Sequence, residues 1–253
     1  MEELKNGGRA LERLSEVSEQ TIRWLWKPYL PFRKVSVLHG KLGIGKSIFA
    51  ARLAAACTNR RYLPGMEELE PCNVLYLTAD VDLSDLVKPR LLEAGADPER
   101  VYAIHDMLPL MLANDNIEQL IMEHGVHLLV VDTIQDYIEQ DIYGEKPEQV
   151  YPVINKLEKM ARNTGCAVLL LAYSDGPGGD CSLAWKACYA EKISSVLCLG
   201  RADDKGDRRW IIHEKNKLGM EGNTLLFTLG NMGISEELQE EKNGPGRSKP
   251  GNQ

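Results

Sequence analysis

No stretch of this 253-residue chain approaches the roughly 18 consecutive apolar residues of a membrane-spanning helix, so no bilayer span is expected. Its beginning, with Glu2, Glu3 and Lys5, lacks the apolar core of a secretory leader. The six cysteines (Cys57, Cys72, Cys166, Cys181, Cys188, Cys198) form no C-x-x-C pair and show no metal-like spacing. Several lie inside apolar runs, which reads as small buried hydrophobes in a reducing compartment. Positive charge is also short: Lys and Arg total 30 against 37 Asp and Glu, for a formal charge of -7. That deficit excludes a surface coated in cations, although a local basic strip is compatible with it. These absences describe a soluble, cytoplasmic protein.

What is present is a hydrophobic content of 43%, enough for one large core. The most informative segment runs from Gly40 to Ser47 and fits G-x-x-x-x-G-K-[ST] at every fixed position. A short buried strand, residues 35–39, leads into it, and an Ala-rich helix over 48–57 leaves it. In that context Gly40, Leu42, Gly43, Ile44, Gly45, Lys46, Ser47 and Ile48 form a cradle of backbone N–H groups for a triphosphate. Lys46 is placed to reach the β/γ-phosphates and the Ser47 hydroxyl to ligate Mg²⁺, so ATP with Mg²⁺ is the expected ligand.

Apolar runs and helical periods alternate from there. Strands are expected over 73–77, 101–104, 127–131 and 167–172, and helices over 83–94, 117–124 and 147–163. Near-continuous apolar strands separated by helices specify an α/β fold with a mostly parallel sheet covered on both faces. Runs at 196–200, 208–214 and 224–229 follow with short connections, so antiparallel strands should extend the sheet. We divide the chain into an N-terminal arm with a short polar helix (1–21), an ATPase domain (22–235) and a charged, turn-rich tail (236–253) read as disordered. The aromatic lead-in, Trp24 to Phe32, suits an adenine clamp, a subunit contact or a cover for the core edge.

A phosphate loop needs a carboxylate for its metal. Leu128 to Val131 followed by Asp132 supplies an acid at the end of an apolar strand, so Asp132 is the candidate metal residue beside Ser47. Hydrolysis also needs a group to orient water, and Asp80 ends the strand that begins near Asn73. Asp80 falls beside the loop if that strand neighbours the loop's own strand; its alternative role is a helix N-cap.

These residues together resemble the RecA-like P-loop ATPases of the RepA hexameric helicase group, within the AAA family ATPases. The resemblance rests on Trp24-Leu25-Trp26 to Pro31, the loop at Gly40, the strand ending at Asp80, Lys88-Pro89-Arg90-Leu91-Leu92, Gly95-Ala96-Asp97, Asp132 and Lys215-Asn216-Lys217. It implies a homo-oligomeric ring, usually a hexamer, with ATP at subunit interfaces and a cation donated by the neighbouring subunit. The run from Lys215 to Gly222 resembles the segment that carries that cation, which makes Lys215 and Lys217 the trans-acting candidates. Asp80 stands where the family usually has Glu, Tyr173 where it has a His or Gln phosphate sensor, and Lys217 where it has Arg. A shorter acid, a substituted sensor and a lysine that cannot make a bidentate contact together imply slow hydrolysis.

Three functions follow as expectations. One is a ring ATPase acting on single-stranded DNA in plasmid or mobile-element replication or repair, a helicase by resemblance. Another is a nucleotide-gated assembly or regulatory module with little turnover. The third is a small-molecule phosphotransferase with a lid at 201–209, a segment that reads better as a strand pair. The loop Ser174 to Asp180 occupies the place of a DNA-contacting loop, with Lys186 and Lys192 beyond it, but its acids do not suit phosphate contact.

Overall fold

Strands that carry no polar residue for several positions have both faces to bury, and that requirement organises the molecule. The computed structural model describes residues 13–19, 21–78, 83–104, 116–137, 147–174, 191–203, 206–230 and 239–241. A short hairpin comes first, β1 (Trp24–Trp26) and β2 (Leu30–Pro31), after a single 3₁₀ turn at Leu14–Glu16. That turn is all the helix found in the described part of the expected N-terminal arm.

Among the described residues the main sheet contains nine strands: β3 (Val35–Gly40), β4 (Asn73–Thr78), β5 (Val101–Ile104), β6 (Val126–Asp132), β7 (Ala167–Tyr173), β8 (Ser195–Arg201), β9 (Arg208–Asn216), β10 (Thr224–Thr228) and β11 (Gln239–Glu241). Their order is β11-β10-β9-β8-β3-β7-β6-β4-β5. Every neighbouring pair from β8 to β5 is parallel, and β9, β10 and β11 add antiparallel strands on the β8 side. The sheet is therefore mostly parallel with an antiparallel extension, as the sequence pattern predicts. The condition attached to Asp80 is not met on this order: β4 does not flank β3 but lies between β6 and β5, so it reaches the loop only past β6 and β7. The third antiparallel strand, β11, falls within the tail that composition reads as disordered. A charged stretch of that kind is well tolerated at a sheet edge.

Among the described residues four α-helices cover the sheet: α1 (Lys46–Asn59), α2 (Lys88–Ala94), α3 (Asn116–Glu123) and α4 (Pro147–Thr164). Alternate residues of the central strands divide between two cores. Leu38, Val130, Leu169 and Leu171 pack with α1, α2 and the hairpin; Val37, Val131, Leu170 and Ala172 pack with α3 and α4. Helix α1 is buried nearly all round because Ala50, Ala51, Ala54, Ala55 and Ala56 let the sheet, α2 and the hairpin approach closely. Trp26 and Tyr29, both fully buried, pack with tilted rings whose centres are 4.4 Å apart, and Trp26 Nε1 donates to Pro64 O. The hairpin thus covers the core edge, which leaves Trp26 no surface for a base. The helix expected over 83–94 begins as a π-helical turn, Leu83–Val87, and becomes α-helical only near Pro89, whose fixed φ suits a helix start.

Among the described residues no helix is long and apolar enough to cross a membrane. Cys57, Cys72, Cys166 and Cys198 are free and buried, in line with their apolar surroundings; Cys181 and Cys188 lie outside the described residues.

Candidate functional site

The parallel strands β3, β6 and β7 end at one edge of the sheet, and the loop from Lys41 to Gly45 closes that edge into the N-terminus of α1. Its backbone demands glycine. Gly43 and Gly45 have φ of 69° and 111°, in the region that side chains disfavour. A Cβ on Gly45 would meet Leu229 Cδ1 at 2.7 Å, and one on Gly40 would meet Leu199 O at 2.4 Å. From the far side the buried Arg209 donates its Nε to Ile44 O at 3.1 Å, fixing the loop to β9.

Lys46 turns back into this loop. Its Nζ donates to Gly40 O at 2.9 Å and Lys41 O at 3.0 Å, and it stands 4.7 Å from the centre of the Tyr173 ring. Burial lowers its pKa to about 8, against the opposing pull of the Asp132 carboxylate. The buried ammonium is thus held by carbonyl oxygens and a π-face, contacts that an anionic phosphate would outcompete.

Asp132 ends β6, level with Thr78 at the end of β4. The hydroxyl of Tyr76, two residues back on β4, donates to Asp132 Oδ2 at 2.6 Å and orients the carboxylate. Just beyond, Asp136 Oδ2 accepts from Thr133 N at 3.0 Å and from its hydroxyl at 2.6 Å, pinning the turn after the strand. Ser47 and Asp132 supply hard oxygen donors beside one cleft, a donor set that fits Mg²⁺. When bound there with a nucleotide, the ion neutralises charge on the β- and γ-phosphates.

A cleft of about 180 Å³ gathers these groups: Leu42, Gly43, Gly45, Lys46, Ser47, Ile48, Asp132 and Tyr173 line it together with Arg90 and Thr133. Gly40 and Ile44 shape the loop from behind. Tyr173 lies at the strand end assigned to the sensor; its carbonyl accepts from Gln135 Nε2 at 3.3 Å. Asp80 lies outside the described residues, as do most of the Ser174 to Asp180 loop and Lys186. Lys215 and Lys217 do not join the cleft. Lys217 N donates to Ser194 O, and Ser194 N to Val35 O, so Lys217 sits level with the start of β3. At about 3.3 Å per strand residue that is roughly 16 Å from Gly40, at the opposite edge of the sheet. Lys215 Nζ donates to Ile193 O, and burial together with the Lys217 charge lowers its pKa to about 8. The described ends of the segment 201–209 belong to the antiparallel pair of β8 and β9, with Arg201 opposite Arg209, as the strand-pair reading expects.

Sequence reasoning missed Arg90, Thr133, Tyr76 and Arg209. Arg90 had a signal, since it lies in the Lys88 to Leu92 run that carries the resemblance. Tyr76 and Arg209 act through cross-strand register and the fold of the extension, for which a linear pattern holds no sign.

A second, larger groove of about 790 Å³ opens at the edge where β3, β6 and β7 begin. Arg23, Arg33, Lys34, His127 and Arg162 line it, and no carboxylate is among its described lining residues.

A search of the curated proteins finds no match to this sequence. A family model described as an AAA domain matches residues 4–175, well over half of the chain and including the loop, Asp132 and Tyr173. The chain belongs to the AAA domain family and carries a nucleotide-binding ATPase domain.

Proposed function

We propose that this protein is a RecA-like, RepA-type ring ATPase that binds Mg²⁺-ATP between subunits, hydrolyses it slowly and acts on single-stranded DNA in plasmid or mobile-element replication or repair. The observation that carries the reading is the separation of Lys215 and Lys217 from the loop of their own chain. Cations at the opposite sheet edge cannot neutralise that chain's γ-phosphate, whereas a head-to-tail neighbour brings one such edge to the next loop. The cleft of about 180 Å³ also falls below the roughly 300 Å³ at which small-molecule pockets begin, which suits a site completed by another copy.

Asp80 and Lys46 take the catalytic roles in this reading, as the water-orienting acid and the phosphate cation, with Tyr173 as sensor and Lys215 and Lys217 acting in trans. Slow turnover follows from three substitutions in kind. Asp80 is one methylene shorter than Glu, Tyr173 lacks an imidazole or amide, and Lys217 is a point charge where a guanidinium would grip two oxygens. The groove at Arg23, Arg33, Lys34 and Arg162, with no acid among its described lining residues, gives an acidic protein the local basic strip that a DNA phosphate backbone requires.

Mass in solution with and without ATP, measured alongside ATPase rate with and without single-stranded DNA, tests the proposal. A hexamer whose turnover rises with DNA supports it; a hexamer with identical turnover in both conditions removes the motor role. In that case the reading left is a nucleotide-gated assembly module, favoured by a Lys46 already satisfied by its own loop carbonyls.

A further inference from the structure

One residue before the phosphate loop, β3 ends its apolar run in His39, which is 2% exposed. In the parallel register of β3 and β8, His39 lies directly opposite Cys198, itself 4% exposed. On the next strand, the pairing of β9 with β8 passes from His213 opposite Leu197 to Lys215 opposite Val196, leaving Glu214 as a bulged residue. A bulge re-aims a side chain, and here it brings Glu214 Oε2 to 2.8 Å from His39 Nε2. The ligand atoms of His39, Cys198 and Glu214 all lie within 4.8 Å of one another.

His213, on the same strand, shows what a histidine serving only the core looks like. Its Nδ1 accepts from Gly222 N at 2.8 Å and its Nε2 pairs with Ser195 Oγ at 2.9 Å, so groups that bind no metal use both ring nitrogens. The imidazole of His39 instead faces a thiol and a carboxylate. We infer that His39, Cys198 and Glu214 form a three-ligand site for a borderline-soft divalent transition metal such as Zn²⁺, across β3, β8 and β9.

The chemistry and the geometry agree. Imidazole, thiolate and carboxylate are the zinc donor types, and three protein ligands leave a fourth position for water. With metal–ligand distances of about 2.0–2.3 Å, tetrahedral ligands stand roughly 3.4–3.6 Å apart. The His39–Glu214 contact must therefore open by less than about 1 Å, and Glu214, whose side chain is 42% exposed, can move. That exposure also gives the ion its way in. Two ligands come from the buried centre of the sheet, where neighbouring strands hold them rigidly. Burial keeps the Cys198 thiol protonated, so binding forms the S–metal bond and releases the thiol proton to solvent. The consequence for the protein is a staple: the ion ties the antiparallel extension to the strand that leads into Gly40, whose carbonyl holds Lys46.

The site does not depend on the DNA or ring reading, and its test requires no ATP. Chelator-treated full-length protein is titrated with Zn²⁺ against a chromophoric chelator, and separately with Co²⁺ while the sulfur-to-cobalt charge-transfer band is recorded. One equivalent of Zn²⁺ and a band that vanishes in Cys198→Ala are expected. Glu214→Gln, at a solvent-facing position where folding is not at stake, should weaken binding by about tenfold or more. Failure to bind an equivalent of Zn²⁺, a band that persists in Cys198→Ala, or unchanged affinity in Glu214→Gln overturns the inference, leaving an ordinary His–Glu hydrogen bond beside a buried thiol.

Discussion

The two edges of the parallel sheet are both cationic, but they hold their charge in opposite ways. At the edge where β3, β6 and β7 end, one ammonium is 5% exposed, bonded to two loop carbonyls and faced by Asp132. Where those strands begin, Arg23, Arg33 and Arg162 are exposed around an open groove with no acid among its described lining residues. A buried, internally satisfied charge suits a compact anion that displaces its contacts. An exposed set of arginines suits an extended anion from outside the chain. The contrast is between a charge that the fold satisfies internally and cations that it leaves facing solvent.

The largest expected effect breaks the first edge. Lys46→Ala should lower ATP turnover by about 10²–10³-fold, the cost of removing one preorganised donor to developing charge. Lys217→Ala then sharpens the comparison: it should leave ATP binding intact yet slow turnover by about 10–100-fold, less than the roughly 10³–10⁵ attributed to an arginine finger. Mixing the two variants should restore part of the rate if the cation acts between copies, and measured additivity of two dead proteins would show that it does not. At the groove, Arg33→Glu with Arg162→Glu should cut single-stranded DNA affinity by about tenfold or more and flatten its salt dependence by about one in slope per cation removed. Fluorescence anisotropy at several salt concentrations reads both.

The pH dependence separates the edges again. The folded pKa of Lys46, about 8, lies below the ordinary value of 10.5, so the penalty for burying its charge is fully present below pH 8 and is relieved as pH rises toward 10.5. Phosphate binding needs the charged form and therefore runs the other way. ATP affinity should be level up to about pH 8 and then fall about tenfold per unit, with uptake of close to one proton per ATP near pH 9. Calorimetry in two buffers of different ionisation enthalpy measures the proton count; zero uptake there would mean that the loop binds phosphate without this charge.

Most of the fold was legible because buried parallel strands write themselves as unbroken apolar runs. Leu128 to Val131 and Ala167 to Ala172 need no partner to be recognised, and the loop motif is local in sequence. What pattern could not supply is lateral order. Nothing within Asn73 to Thr78 says whether it lies beside β3 or with two strands between them, and so the nearness of Asp80 to the loop stayed conditional on a neighbour that only the sheet order supplies. The same limit hid the pairing of Tyr76 with Asp132 and of His39 with Cys198 and Glu214, each made by strands far apart in sequence. A search for metal-like cysteine spacing passes over such a cluster because its spacing exists only across the sheet.

The smallest expected effect tests whether that hidden lateral order matters to the site. Tyr76→Phe removes the hydroxyl that donates to Asp132 Oδ2 at 2.6 Å but keeps the buried ring in the core. Loss of a group that orients a metal-site carboxylate costs about 10–100-fold in metal affinity when the site is closed to water. Asp132 is only half-buried, so solvent can take over part of the contact, and the expected loss is smaller, about fivefold. It should show as a higher Mg²⁺ concentration for half-maximal turnover, with nucleotide affinity in the absence of Mg²⁺ unchanged. An unmoved Mg²⁺ requirement would mean that β6 alone sets the direction of Asp132; a fivefold shift would mean that its aim is set from β4, across the register that no linear pattern reveals.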